Sequence, residues 1–267
     1  MLRRLWRAWQ NQRDNAAVQR RAIPDDLWKR TLVRYPFLQR NEAADAAELR
    51  RLTSLFLDRK EFSAVGGLKL QDAMVVAIAA QAALPVLRLG LEVYDGFVGI
   101  VLTPQAVRAP QAITDEAGVV HEFEAEQHGQ TLDGGPMMLS WRHVRGIGVA
   151  YEQAAYNVVV HEFAHVIDMS NGLVDGMPRL PPDISVGEWR ATLGREHEDL
   201  IRRVEAGEST VIDPYGTESQ EEFFGVACEA FFVEPWRMRE QHPALHALFV
   251  RYFRQDPAAE RPPLRRV

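Results

Sequence analysis

The sequence predicts an α+β fold whose strands precede its main helices. Strand-like runs at 86–94, 98–102, 118–124 and 137–141 crowd into the middle of the chain. From Gly148 to about Phe253 the text is mainly helical. Strict alternation of strand and helix would point to a doubly wound sheet, whereas strands followed by helices point to α+β. At 267 residues, 46% hydrophobic and 25% charged, the chain suits one sizeable domain with a real core.

The elements follow in order. Residues 1–22 are Arg-rich, with Leu2, Trp6 and Trp9 at helix-like spacing, a pattern that also suits a membrane surface or a partner. A flexible, solvated basic segment is expected there. From Pro24 onward Trp28, Leu32, Tyr35 and Phe37 supply core anchors, and 43–60 reads as an amphipathic helix with Leu49, Leu52, Leu55, Phe56 and Leu57 on its apolar side. Gly66-Gly67 breaks the chain before an apolar helix at 73–84. The strand-like runs 86–94 and 98–102 are joined through Asp95-Gly96, and Asp133-Gly134-Gly135-Pro136 is a turn between the later two. One domain is expected over 23–254, its N-terminal helical part reaching to about 84, with a flexible tail at 255–267 carrying Pro257, Pro262 and Pro263.

Composition narrows the partners. Phosphate contacts dominate nucleic-acid affinity, so a formal net charge of −6 argues against a nucleic-acid partner. A single cysteine, Cys228, rules out an intrachain disulfide and fits a reducing compartment. Set among Phe223, Phe224, Phe231 and Phe232, it reads as a buried, inert thiol. The longest apolar stretch, 73–87, contains Gln81 and Pro85 and is too short to span a bilayer comfortably. The N-terminus lacks the continuous apolar core of a signal peptide. A soluble, cytoplasmic protein without stable membrane insertion is expected.

His161-Glu162-Phe163-Ala164-His165 carries the chemistry. Histidines four apart on a helix share one face, so both rings can reach one ion. A glutamate directly after the first projects about 100° round the helix, beside the metal, where it can act as a base. Val158, Val159, Val160, Phe163, Ala164, Val166 and Ile167 make the helix apolar almost all round. His161, His165 and Asp168 are then a narrow polar stripe, and buried polar groups need partners. Asp168 reads as a supporting carboxylate or helix-end group, and Asn171-Gly172 as the C-terminal cap. His121, Glu122, Glu124 and His128 lack the pair spacing and read as surface.

A catalytic zinc site takes three protein ligands and leaves one position open. The third belongs to a second apolar helix at 219–232, where Glu222 and Glu229 lie seven apart on one face. Ser219 and Glu222 also spell a capping box, which competes with metal binding. Spacing leaves the choice between Glu222 and Glu229 open.

Several motifs in order resemble the Mlc titration factor A family, the glucose-regulated metallopeptidases of Gram-negative bacteria. They are Leu84-Pro85-Val86-Leu87, Leu89-Gly90-Leu91-Glu92 and Tyr94-Asp95-Gly96-Phe97, then Gly135-Pro136, Ser140-Trp141 and the run from His161 to Gly172. Glu222-Phe223-Phe224, Glu229, Phe231, Phe232 and Pro235 complete the set. The resemblance implies a zincin-like domain similar to that of anthrax lethal factor, with a small mixed sheet and an active-site helix. It implies one zinc ion per chain, held by His161, His165 and a glutamate that follows a tyrosine by seven residues. Tyr215 stands seven before Glu222, so the resemblance selects Glu222 as ligand, leaves Glu229 behind the ligands and gives Tyr215 the oxyanion. By itself Tyr215 reads as a turn residue after Asp213-Pro214. The resemblance further implies aminopeptidase-type activity and a repressor partner, Mlc.

The expected function is therefore zinc-dependent peptide hydrolysis with Glu162 as general base. An alternative makes the protein mainly a repressor-sequestering binder. A structural zinc is the poorer rival, because closed sites draw on more Cys and His than one cysteine allows. The strand near 137–141 is expected to pair with an extended substrate.

Overall fold

The computed structural model describes residues 2–105, 107–114, 120–127, 129–131, 135–146 and 154–260, with side chains outside 2–8, 10–11 and 107–131. Four strands form a mixed sheet in the order β1 (Glu61–Ala64), β2 (Gly99–Thr103), β6 (Met137–Ser140) and β5 (Gly129–Thr131). β1, β2 and β6 run parallel, and β5 closes antiparallel against β6. Between β2 and β5 the chain makes an antiparallel ribbon of β3 (Val107–Thr114) and β4 (Val120–Gln127). Ile100, Leu102, Met137 and Leu139 on the inner strands are fully buried.

Helices α1 (Leu2–Arg20), α2 (Asp25–Arg34), α3 (Ala43–Arg59) and α4 (Asp72–Ala83) form the N-terminal part. After α5 (Trp141–Gly146) come α6 (Val158–Asp168), α7 (Val186–Glu205), α8 (Gln220–Val233), α9 (Pro235–Gln241), α10 (Pro243–Phe253) and α11 (Pro257–Glu260). The fold is α+β, as the order of strands and helices predicts. Two aromatic clusters locate the core. Phe163 of α6 meets Phe56 of α3 and Tyr94 edge-on, with ring centroids 5.5 and 4.9 Å away. On the far side of α8, Phe231 stacks on Phe253 at 5.5 Å and Phe224 meets Trp189 at 6.0 Å. α8 is thereby wedged between α6 and the α7–α10 layer.

The structure departs from expectation at four places. Residues 86–94 are not a strand but a chain of turns ending in a 3-10 helix, Leu91–Tyr94. Leu87 donates to the Leu84 carbonyl and Gly90, at φ +94°, to that of Val86. Val86, Leu87, Leu91 and Tyr94 are buried, and a short apolar run gives no periodicity by which to tell a strand from a buried turn. The strand beside β2 is instead β1, four residues of half-exposed text. β6 is interior, bonded on both sides, so its backbone has no edge to offer a peptide. The third and fourth departures are at the ends. The basic segment 1–22 runs as α1, with Ala17 buried and Arg20 bonded to Asp58 of α3 at 3.0 Å. The chain stays packed past Gln255, whose amide donates to the Leu84 carbonyl at 3.0 Å, as far as α11. Residues 261–267 lie outside the described residues. No helix among the described residues is long and apolar enough to cross a membrane.

Candidate metal centre

α6 begins at Asn157, whose side-chain oxygen accepts the Val159 and Val160 amides at 3.1 Å each. This is an N-cap, and it supplies partners for two of the donors that a helix start leaves open. Every residue of α6 except His165 is buried, and His165 is half-buried. The His161 and His165 rings lie one turn apart, with centroids separated by 4.7 Å and Nε2 atoms by 3.0 Å.

α8 brings the acids. Ser219 Oγ accepts the Glu222 amide at 3.2 Å, so one half of the capping box forms. The other half does not, because the Glu222 carboxylate turns to the histidines, 3.0 Å from His161 Nε2 and 3.5 Å from His165 Nε2. Glu229 stands behind the same ring, its Oε1 accepting from His161 Nδ1 at 2.8 Å. The two carboxylates left open by spacing thus face opposite sides of one imidazole. Gly225, between them, allows the approach, since a Cβ there would sit 2.7 Å from His161 Cε1.

The electrostatics point to a cation. Ligand atoms of His161, His165 and Glu222 all lie within 4.8 Å of one another. With its proton on Nδ1 toward Glu229, His161 presents a lone pair at Nε2 to a carboxylate oxygen and to the second imidazole. When neither ring carries a proton on Nε2, three acceptors converge in a partly buried place, an arrangement that favours a positive charge among them. Burial alone lowers the His161 pKa, but the accepting carboxylates of Glu222 and Glu229 carry it well above the usual imidazole value, the mark of a place that favours positive charge. Burial pushes Glu222 up, yet the two histidines hold it well below the carboxylate range. Two imidazoles and one carboxylate form a donor set that suits zinc.

Around this cluster, Glu162 is buried and its pKa is raised by that burial. Tyr215 follows an Asp213-capped turn, half-exposed, with its ring centroid 6.1 Å from that of His161. Burial and the nearby Glu222 charge raise its pKa. Asp168 does not reach the cluster. It is buried, accepts the Gly176 amide at 2.8 Å and so pins the loop after α6; burial pushes its pKa up to about 6. Gly172 adopts φ +92° at the helix end, which suits a glycine there. Cys228 is a buried free thiol whose pKa burial raises. The side chains of His121, Glu122 and Glu124, and all of His128, lie outside the described residues.

The glucose-regulated metallo-peptidase M90 family matches residues 6–254. The chain belongs to that family. Membership in M90 points to a metallopeptidase, and thus to a bound metal. A Pectobacterium atrosepticum relative named Mlc titration factor A is 33% identical over 216 residues, covering 79% of this chain and 80% of the relative. A Salmonella arizonae relative of the same name is 32% identical over 237 residues, 88% of this chain and 92% of its own length. An uncharacterized protein of Synechocystis sp. is 30% identical over 251 residues, 93% of this chain and 90% of its own.

Two residues against the centre do not stand out in the sequence as site residues. Asn157 is a lone amide at a helix start, and Gln81 is the one polar side chain in an otherwise apolar stretch of α4. Each carries a signal in retrospect. An amide just ahead of an apolar run is a capping signature, and a fully buried Gln needs a polar partner.

Proposed function

We propose that this M90 member is a zinc-dependent peptidase in which His161, His165 and Glu222 hold the ion and Glu162 is the general base. The observation that carries this reading is the convergence of those three donors within 4.8 Å beside a buried glutamate. Zinc, when bound, supplies Lewis acidity toward the scissile carbonyl and acidifies a coordinated water. Glu162 takes the proton from the attacking water and returns it to the leaving amine; its burial-raised pKa makes it a better acceptor than an exposed glutamate. Tyr215, kept protonated by its raised pKa, donates its hydroxyl to the oxygen that gains charge. Glu229 holds the His161 proton on Nδ1 and directs Nε2 forward. β5, the outer strand beside β6, offers the edge on which an extended peptide can add a strand.

Glu162→Gln tests the assignment. Bound zinc stays at one equivalent while peptide hydrolysis falls about 10²–10⁴-fold. Hydrolysis at the wild-type rate removes Glu162 from the mechanism. Aminopeptidase-type substrates are the first to try. A second reading, that the chain sequesters a transcriptional repressor of the Mlc type in the cytoplasm, is supported by the name of its relatives. It predicts that the same variant still binds such a repressor.

A further inference from the structure

Asn157 grips His161 at both ends. Its carbonyl accepts the His161 backbone amide at 3.0 Å, the first turn of α6. Its own backbone amide donates to Glu229 Oε2, the carboxylate whose other oxygen accepts from the His161 ring. The orientation of the Asn157 backbone therefore sets both where α6 starts and where the Glu229 carboxylate rests.

That orientation is held from α4. Gln81 is fully buried, and its Nε2 donates to the Ala77 carbonyl at 3.1 Å. A carbonyl only accepts, so the Gln81 amide has one orientation, with Oε1 turned to Asn157 Nδ2 at 3.1 Å. That in turn leaves Asn157 Oδ1 for the Val159 and Val160 amides. A continuous series of hydrogen bonds thus runs from the Ala77 carbonyl through Gln81 and the Asn157 side chain, and from the Asn157 backbone amide through Glu229 to the His161 Nδ1. Each of the four side chains in this series is buried, where a misdirected amide has no water to turn to.

We propose that Gln81 and Asn157 are positioning residues of the metal centre: as one unit they fix the Glu229 carboxylate, and through it the His161 ring that presents Nε2 to the ion. The proposal rests on the zinc-site assignment above. The partners behind a metal-bound histidine commonly govern affinity by about 10–100-fold, and here they extend to α4, which supplies none of the three candidate ligands.

The test is zinc affinity of the full chain, measured by competition with a chromophoric chelator. Gln81→Met removes the link and leaves the α6 cap intact. Asn157→Ser keeps a capping hydroxyl but cannot reach Gln81. Each single variant is expected to bind zinc about tenfold more weakly while far-UV circular dichroism stays that of the wild type. The double variant is expected to bind no more weakly than either single one, because both break the same unit. Wild-type affinity in folded Gln81→Met, or additive losses in the double variant, overturns the proposal. His161→Ala in the same titration separates the two levels. If it retains zinc, the site assignment itself fails; if it loses zinc while Gln81→Met does not, only the positioning role fails. Should Asn157→Ser not fold, Gln81→Met decides alone.

Discussion

The chain contains two histidine pairs at the same spacing, and only one of them converges. His161 and His165 on α6 meet Glu222 at a point, whereas His242 and His246 at the start of α10 do not meet anything in common. Both pairs are largely buried. The difference lies in the backbone. His161 and His165 are both within a helix, so their rings stack one turn apart. His242 is the residue before α10, at φ −132° and ψ 60°, and its Nδ1 bonds Glu196 of α7 at 2.7 Å. His246 instead packs on Phe231, with Asp256 at 3.6 Å, too far for a hydrogen bond. In this chain the i, i+4 pair gathers at one point where both residues are helical and a third donor arrives from another element. Among the described residues His161, His165 and Glu222 are the only such group.

That contrast can be broken first at Glu222. Glu222→Ala reduces the α6 pair to two imidazoles, and the expected outcome is loss of both stoichiometric zinc and hydrolysis, read by metal analysis of the purified protein and by peptidase assay. Full zinc content in this variant erases the distinction between the two pairs. His242→Ala sharpens the contrast from the other side. It removes a buried partner of Glu196, and is expected to lower stability by about 1–3 kcal/mol with zinc content unchanged, measured by urea unfolding and metal analysis. The smallest effect is on pH dependence. Burial lowers the His246 pKa below its usual 6.5, with Asp256 opposing and Arg239 adding to the shift. Below that pH the unfolded chain takes up the proton more readily than the folded one, so stability falls with acid. His246→Gln is expected to flatten the thermal-stability profile on the acid side of pH 6.5; an unchanged slope assigns the acid sensitivity to other groups.

The legible parts of the site are those written locally. His161, Glu162 and His165 could be read because helical spacing relates them within one turn. Glu222 and Glu229 could not be separated by spacing, since residues seven apart share a helix face whichever of them meets the histidines. The Ser219 capping box pulled against the ligand role, and the structure shows that the backbone half of the motif coexists with a carboxylate turned away. In the fold, the helix at 43–60 was readable from its apolar side and that at 73–84 from the length of its apolar run, and α3 and α4 lie there. The apolar run at 86–94 misled because burial on every side leaves no alternation. β1 was missed because the alternation of Glu61, Phe62, Ser63 and Ala64 runs over only four residues, and its strand character comes from pairing with β2.

By itself the sequence determined that an apolar helix would carry two histidines and a glutamate to one place, and that an acid-bearing helix would follow. Both follow from side-chain periodicity, which is local. The tertiary structure decided which acid faces the histidines, which stands behind them, and that an amide on α4 and another at the start of α6 set the orientation between them. Those relations join residues 61 to 76 positions apart. Contacts at that separation depend on how helices pack, and a repeat of three or four residues holds no record of it.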